Sequence, residues 1–118
     1  MIKLFDSELK IMDIVWREGA VSAKQIADEL HEKIGWNKNT TYSLIKRCIG
    51  KGAIERSEPS FICTALIPRK DIQQAETDEL VNKLFEGSED LLFASLLSNK
   101  GLNDSQIEQL RKIVEELK

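Results

Sequence analysis

Residues 36–52 read W-N-K-N-T-T-Y-S-L-I-K-R-C-I-G-K-G, and the two sides of that stretch have opposite character. Thr41, Leu44, Ile45, Cys48 and Ile49 recur at three- and four-residue spacing, which on a helix brings them onto one face. Asn39, Ser43, Lys46 and Arg47 fall on the other. An apolar face has to be buried, so the stretch predicts a helix at about 37–50 lying on a core, with a polar and cationic side outward. Asn37 is placed to cap it, because its side-chain oxygen can accept an orphan N–H of the first turn. Gly50 and Gly52 are expected to end it. Hydroxyl and amide groups on such a side can meet base edges, and cations can neutralise phosphates, so the helix suits the major groove of DNA. A plain solvated face has the same pattern, and the neighbouring segments decide between the two.

Upstream, Asp6-Ser7-Glu8 opens a helix that Asp6 or Ser7 can cap, its acids suiting the positive end of the helix dipole. Leu9, Met12 and Trp16 recur on its inner face, with Ile11 and Val15 beside them, and Gly19 stops it. Val21 is extended. Ser22 then begins S-A-K-Q, a capping-box pattern, for a second helix to about Lys33 with Ile26, Ala27 and Leu30 inward. His31, the single histidine, belongs on a surface or an interface. Downstream of Gly52, Ala53–Arg56 and Phe61–Leu66 read as two short strands around a turn containing Pro59. Helix, helix, outward-polar helix and hairpin is the order of a winged helix-turn-helix. The short acidic turn at Glu58-Pro59 argues against a strong grip on DNA by the wing tip.

From Pro68 onward the chain is helical again. One helix runs from about Arg69 to Phe85, with Ile72, Ala75, Leu80, Leu84 and Phe85 apolar, and Gly87 stops it. Ser88-Glu89-Asp90 caps a second that carries Leu91, Leu92, Phe93, Leu96 and Leu97 and breaks at Asn99-Lys100-Gly101. Asn103 or Asp104 caps the last, where Ile107, Leu110, Val114 and Leu117 repeat at heptad-like spacing. Three short helices in under fifty residues cannot bury that much apolar surface by themselves. A second copy of the chain would supply the cover, and closed two-fold pairs are the commonest assemblies. The expected fold is therefore mainly α with a small β-hairpin. It comprises a winged-helix DNA-binding domain over 1–70 and a helical dimerisation domain over 71–118. The expected dimer contacts are Leu80, Leu84, Leu91, Leu92, Leu96, Leu97, Ile107, Leu110 and Val114.

Charge divides the chain in the same place. The whole carries a net −3, which disfavours nucleic acid. Residues 1–70 hold 12 Lys and Arg against 9 Asp and Glu, whereas 71–118 hold 5 against 11, so the basic excess sits with the outward-polar helix. No apolar run is long enough to span a membrane, and the opening M-I-K-L-F-D-S-E has no secretory apolar region, so a cytoplasmic protein without membrane insertion is expected. Cys48 and Cys63 fall on core-facing positions and suit reduced core thiols. One histidine, no phosphate-binding glycine loop and no nucleophile motif give an enzyme little support. No metal or cofactor is expected. A winged-helix protein-interaction module that never touches DNA stands as the alternative, favoured by the net negative charge and the acidic wing.

Taken together, L-K-I-M-D-I-V-W at 9–16, A-V-S-A-K-Q-I at 20–26, W-N-K-N-T-T-Y-S-L-I-K-R at 36–47, K-G at 51–52 and L-N-D-S-Q-I-E-Q-L-R-K-I-V at 102–114 resemble the penicillinase-repressor family of bacteria, the BlaI, MecI and CopY repressors. The match runs in order over nearly the full length. The resemblance implies a homodimeric repressor of beta-lactam-resistance-type genes, bound to a palindromic operator in double-stranded DNA, with one reader helix from each subunit in the major groove. It implies that Asn39, Thr40, Tyr42 and Ser43 face DNA, Tyr42 standing where a basic residue is frequent, and that Arg47 supports the helix or a phosphate. With the cations of the same stretch, the candidate DNA-binding residues are Lys38, Asn39, Thr40, Tyr42, Ser43, Lys46, Arg47 and Lys51. The family resemblance further implies relief of repression by a membrane sensor-protease system that cuts in the dimerisation region, at Ser95-Leu96 by alignment, where this chain has Ser in place of Asn. The copper-responsive branch carries paired Cys-x-Cys motifs near its end, and no cysteine follows Cys63 here.

Overall fold

In the computed structural model, which describes residues 2–117 and, of residues 99 and 100, the backbone alone, the first helix, α1 (Asp6–Glu18), is started by neither Asp6 nor Ser7. Phe5 is its N-cap residue, and the Phe5 N–H donates to Glu8 Oε1 at 2.8 Å. Glu8 lies on the inner face with Ile11, Met12 and Val15, at helical spacing of three and four. The inner face is thus turned about one residue from the expected one. Ile14 is buried, while Leu9 and Trp16 pack at the margin of the core. The Trp16 indole N–H donates to the Ile67 carbonyl at 2.9 Å.

β1 (Ala20–Ser22) follows, then α2 (Ala23–Ile34), capped by Ser22, whose Oγ accepts from the Gln25 N–H at 3.1 Å. Ala23, Ile26, Ala27 and Leu30 are buried, and Gly35 ends the helix in the left-handed region. α3 (Lys38–Gly50) comes next, then the hairpin of β2 (Ile54–Ser57) and β3 (Ile62–Ala65). The sheet has three antiparallel strands in the order β1-β3-β2, not the two expected. Val21 pairs with Cys63, and Arg56 pairs with Cys63 from the other side. Three residues are too short to show an alternation, which is why the sequence shows Val21 as extended but not β1 as a paired strand. Leu4, Ile11, Met12, Val21, Ile26, Leu44, Ile45, Ile54, Cys63 and Ile72 belong to one buried cluster. Three helices with a small sheet, whose hairpin follows the third helix and whose remaining strand precedes the second, make a winged helix.

α4 (Arg69–Leu84), α5 (Glu89–Lys100) and α6 (Asp104–Glu116) complete the chain. Ser88 caps α5, accepting from the Leu91 N–H at 3.3 Å. Asn103 rather than Asp104 caps α6, in a reciprocal pair with Gln106. The chain divides into two compact units, Met1–Gln74 and Ala75–Lys118, so the first turn of α4 with Ile72 belongs to the winged helix. Among the described residues no helix is long and apolar enough to cross a membrane.

Candidate nucleic-acid interface

α3 is held at both ends. At its start Asn37 Oδ1 accepts from the Asn39 N–H at 2.8 Å and the Thr40 N–H at 3.3 Å. Thr41, fully buried, donates its hydroxyl to the Asn37 carbonyl at 3.3 Å. Thr41, Leu44, Ile45 and Cys48 are buried and Ile49 is half-buried, so the inner face is the one the spacing predicts. At its end Gly50 remains helical, Lys51 is the C-cap residue, and Gly52 alone takes the left-handed conformation, at φ +83°. The Ala53 N–H then donates to the Cys48 carbonyl at 2.9 Å and turns the chain into β2.

With that face buried, Lys38, Asn39, Thr40, Ser43, Lys46 and Arg47 are left exposed in one band along the helix. Amide, hydroxyl and cation donors in a band on a rigid helix can bond base edges and phosphates. Tyr42 is half-buried instead: its ring meets that of Phe61 at 6.2 Å between centroids, and so joins α3 to the start of β3. Beside it, the Arg56 guanidinium covers Phe61 at 3.5 Å and pairs with Glu58. The cation of the wing is therefore partly neutralised by the acid of the turn.

The cations of α3 differ in their surroundings. Lys38 Nζ pairs with Asp28 on α2 at 3.0 Å. Lys46 has no such partner among the described residues. Arg47 and Lys51 converge on Glu8. Lys51 Nζ donates to Glu8 Oε1 at 2.7 Å and to the Lys3 carbonyl at 2.8 Å, with the Phe5 ring 4.3 Å away. Arg47 Nε lies 3.5 Å from Glu8 Oε2, a buried oxygen that accepts no hydrogen bond. Glu8 is 0% exposed. Burial pushes its pKa up, but the Lys51 hydrogen bond, the Phe5 N–H and the Lys51 and Arg47 charges outweigh burial and hold it below the ordinary value of 4.5. The sequence reading places Glu8 among the first-turn acids that suit the helix dipole and misses its burial, although a carboxylate in register with Ile11, Met12 and Val15 is the signal that points to it.

Cys48 and Cys63 are both free and buried, and burial pushes their thiols up to about 12 and about 11. His31 is exposed, with Nδ1 3.0 Å from the Trp36 carbonyl. Ser95 and Leu96 lie inside α5, half-buried and exposed respectively.

The model of the family described as penicillinase repressor matches residues 4–116. The penicillinase repressor of Bacillus licheniformis is 25% identical over 118 residues, covering 98% of this chain and 92% of the relative. The methicillin resistance regulatory protein MecI of Staphylococcus aureus (strain N315) is 27% identical over 114 residues, covering 95% and 93%. Among solved structures, that of the DNA binding domain of the repressor BlaI superposes with a TM-score of 0.54 at 26% identity. It covers 60% of this chain and 93% of that one.

Proposed function

The chain belongs to the penicillinase repressor family, a family of DNA-binding transcriptional repressors and not of enzymes, and we propose that it represses as a homodimer seated on a palindromic operator. The observation that carries this reading is the exposed band of α3, whose base-reading donors Asn39, Thr40 and Ser43 stand beside Lys46 and Arg47 on a helix fixed at both ends. Lys38, Tyr42 and Lys51 complete the contact set, with Tyr42 fixing the wing to the helix and Lys51 fixing the N-terminal segment to its end. Target genes of the beta-lactam-resistance type fit the names of the relatives.

The second unit supports pairing of two copies. Leu80, Leu84, Leu91, Leu96 and Leu97 are exposed, Leu92 is half-buried, and no residue of α6 is buried. Within this unit an apolar groove of about 400 Å³ runs between Phe93 and Leu97 on one side and Ile107, Leu110 and Val114 on the other. A second copy seated there would join two reader helices, and the pair would bind a two-fold site with an affinity neither half has alone. Release then follows from a cut at Ser95-Leu96 by a protease under a membrane sensor, which separates α6 from the rest of the unit. A protease takes an extended backbone, so α5 has to unwind locally before it is cut. The protein works in the cytoplasm, where its DNA is.

Selection of genomic fragments by the purified protein, repeated across salt concentrations, tests the reading. Enrichment of a two-fold symmetric site whose affinity falls with salt is the expected result. A protein that enriches no fragment at low salt is not a DNA reader, and its partners are then proteins.

A further inference from the structure

Three cations stand in the C-terminal half of α3 and its cap, at positions 46, 47 and 51, and they are not equally free. Lys46 is exposed with no acid beside it among the described residues. Lys51, its side chain 29% exposed, is locked by Glu8 Oε1 and the Lys3 carbonyl. Arg47, its side chain 53% exposed, reaches solvent but keeps Nε 3.5 Å from Glu8 Oε2. That oxygen is buried and has no hydrogen-bond partner, so Arg47 is the cation placed to answer its charge.

We infer that Glu8, buried on α1 behind the reader helix, is a positioning residue that sets how much of the helix's charge reaches DNA and thereby its specificity. The inference rests on the DNA-binding reading above. Glu8 with Arg47 and Lys51 is a cluster of net +1 where the two cations alone would present +2. A phosphate competing for Arg47 competes with a carboxylate already in place. Lys46 therefore supplies the full phosphate contact of this end, and Arg47 a partial one. Phosphate attraction is blind to sequence, whereas Asn39, Thr40 and Ser43 meet base edges. Withholding cationic charge lowers affinity for arbitrary DNA more than affinity for the operator, so the buried acid raises the ratio of the two.

Glu8→Gln separates charge from shape. A glutamine at this position of a helix start can still accept the Phe5 N–H, as in a capping box, and has nearly the same size. The experiment measures binding of the full-length protein to a random-sequence duplex and to its selected operator at about 50–200 mM salt, with a thermal melt by circular dichroism. The expected variant is folded and binds random duplex more tightly. Its slope of log affinity against log salt is steeper by up to ~0.9 per protomer, so its advantage over the parent shrinks about threefold per protomer across that range. Its ratio of operator to random affinity falls. A folded Glu8→Gln protein with an unchanged or shallower slope overturns the inference. If the variant does not fold, Lys46→Ala and Arg47→Ala in the parent decide. Lys46→Ala is expected to flatten the slope by about 0.9 per protomer and Arg47→Ala by less than half as much, and equal losses overturn the inference. A parent protein without salt-dependent DNA affinity defeats the DNA-binding reading itself, whereas a parent that binds beside a variant of unaltered slope defeats only the role of Glu8.

Discussion

Glu8 shares its helix face with Ile11, Met12 and Val15, where a carboxylate without partners would be driven toward its neutral form. Lys51, Arg47 and the Phe5 N–H reverse that balance and hold its pKa below 4.5. A carboxyl group whose pKa is lower folded than unfolded contributes its stability in full above the unfolded value and loses it as pH falls through the folded one. Stability against urea is therefore expected to be level at neutral pH and to fall progressively below about pH 4.5. Glu29 adds to the same acid loss. The bidentate Arg17 pair, at 2.9 and 2.6 Å, is the main cause of its pKa of about 2, although its exposure to water makes its share small. Urea unfolding of Glu8→Gln should show a lower plateau at neutral pH and a weaker dependence below pH 4.5 than the parent. Parallel curves for the two proteins would mean that the Glu8 charge does not stabilise the fold.

At the scale of elements, the reader helix depends on its two ends. Asn37 satisfies two orphan N–H groups with one oxygen, and its loss leaves both to water. Asn37→Ala is expected to cost about 1 kcal/mol of unfolding free energy. Because Asn39 and Thr40 are the residues whose N–H groups it holds, fraying of the first turn should weaken operator binding as well. Titration of the operator and urea unfolding on the same preparation check both outcomes. Weakened binding without loss of stability would instead assign Asn37 to direct DNA contact. The helix itself was legible from spacing alone, because burial of one face imposes a period that short stretches display. Its end was not. Gly50 and Gly52 look alike in sequence, and only the turn into β2, made by the Ala53 N–H on the Cys48 carbonyl, puts the left-handed residue at Gly52. The pairing of β1 was illegible for another reason, since the extended Val21 becomes a strand only because β3 offers it an edge.

At the scale of the whole molecule, the second unit is apolar on surfaces that one copy leaves in water. On α6 Ile107, Leu110, Ile113 and Val114 are all exposed, as is Leu117 at its C-cap. Contiguous apolar surface of that kind marks an interaction site. Leu110→Glu, in the lining of the groove between α5 and α6, places a charge where a partner would exclude water. Light scattering at micromolar concentration should give a dimer for the parent and a monomer, or a strongly weakened dimer, for the variant. Operator affinity should then drop by orders of magnitude while the melting of the winged helix is preserved. A parent that scatters as a monomer would remove the dimeric account of residues 75–118. The charge division belongs to this scale too. The acidic second unit keeps the net charge negative, and the cationic band of α3 is a local feature that the total of −3 conceals.

The amino-acid sequence by itself determined the elements, their order and the buried face of the reader helix, since periodicity, caps and glycine stops act between residues a few positions apart. It also determined the family, because the motifs at 9–16, 20–26, 36–47 and 102–114 stand in order along one chain. Tertiary structure alone decided the third strand, the contact of Tyr42 with Phe61, and the convergence of Arg47 and Lys51 on Glu8. Lys51 and Glu8 are 43 positions apart, and their ion pair forms only after α1 and α3 have packed. Local pattern reports which face of a helix is buried, but the folded core decides which charges on the other face are already spoken for.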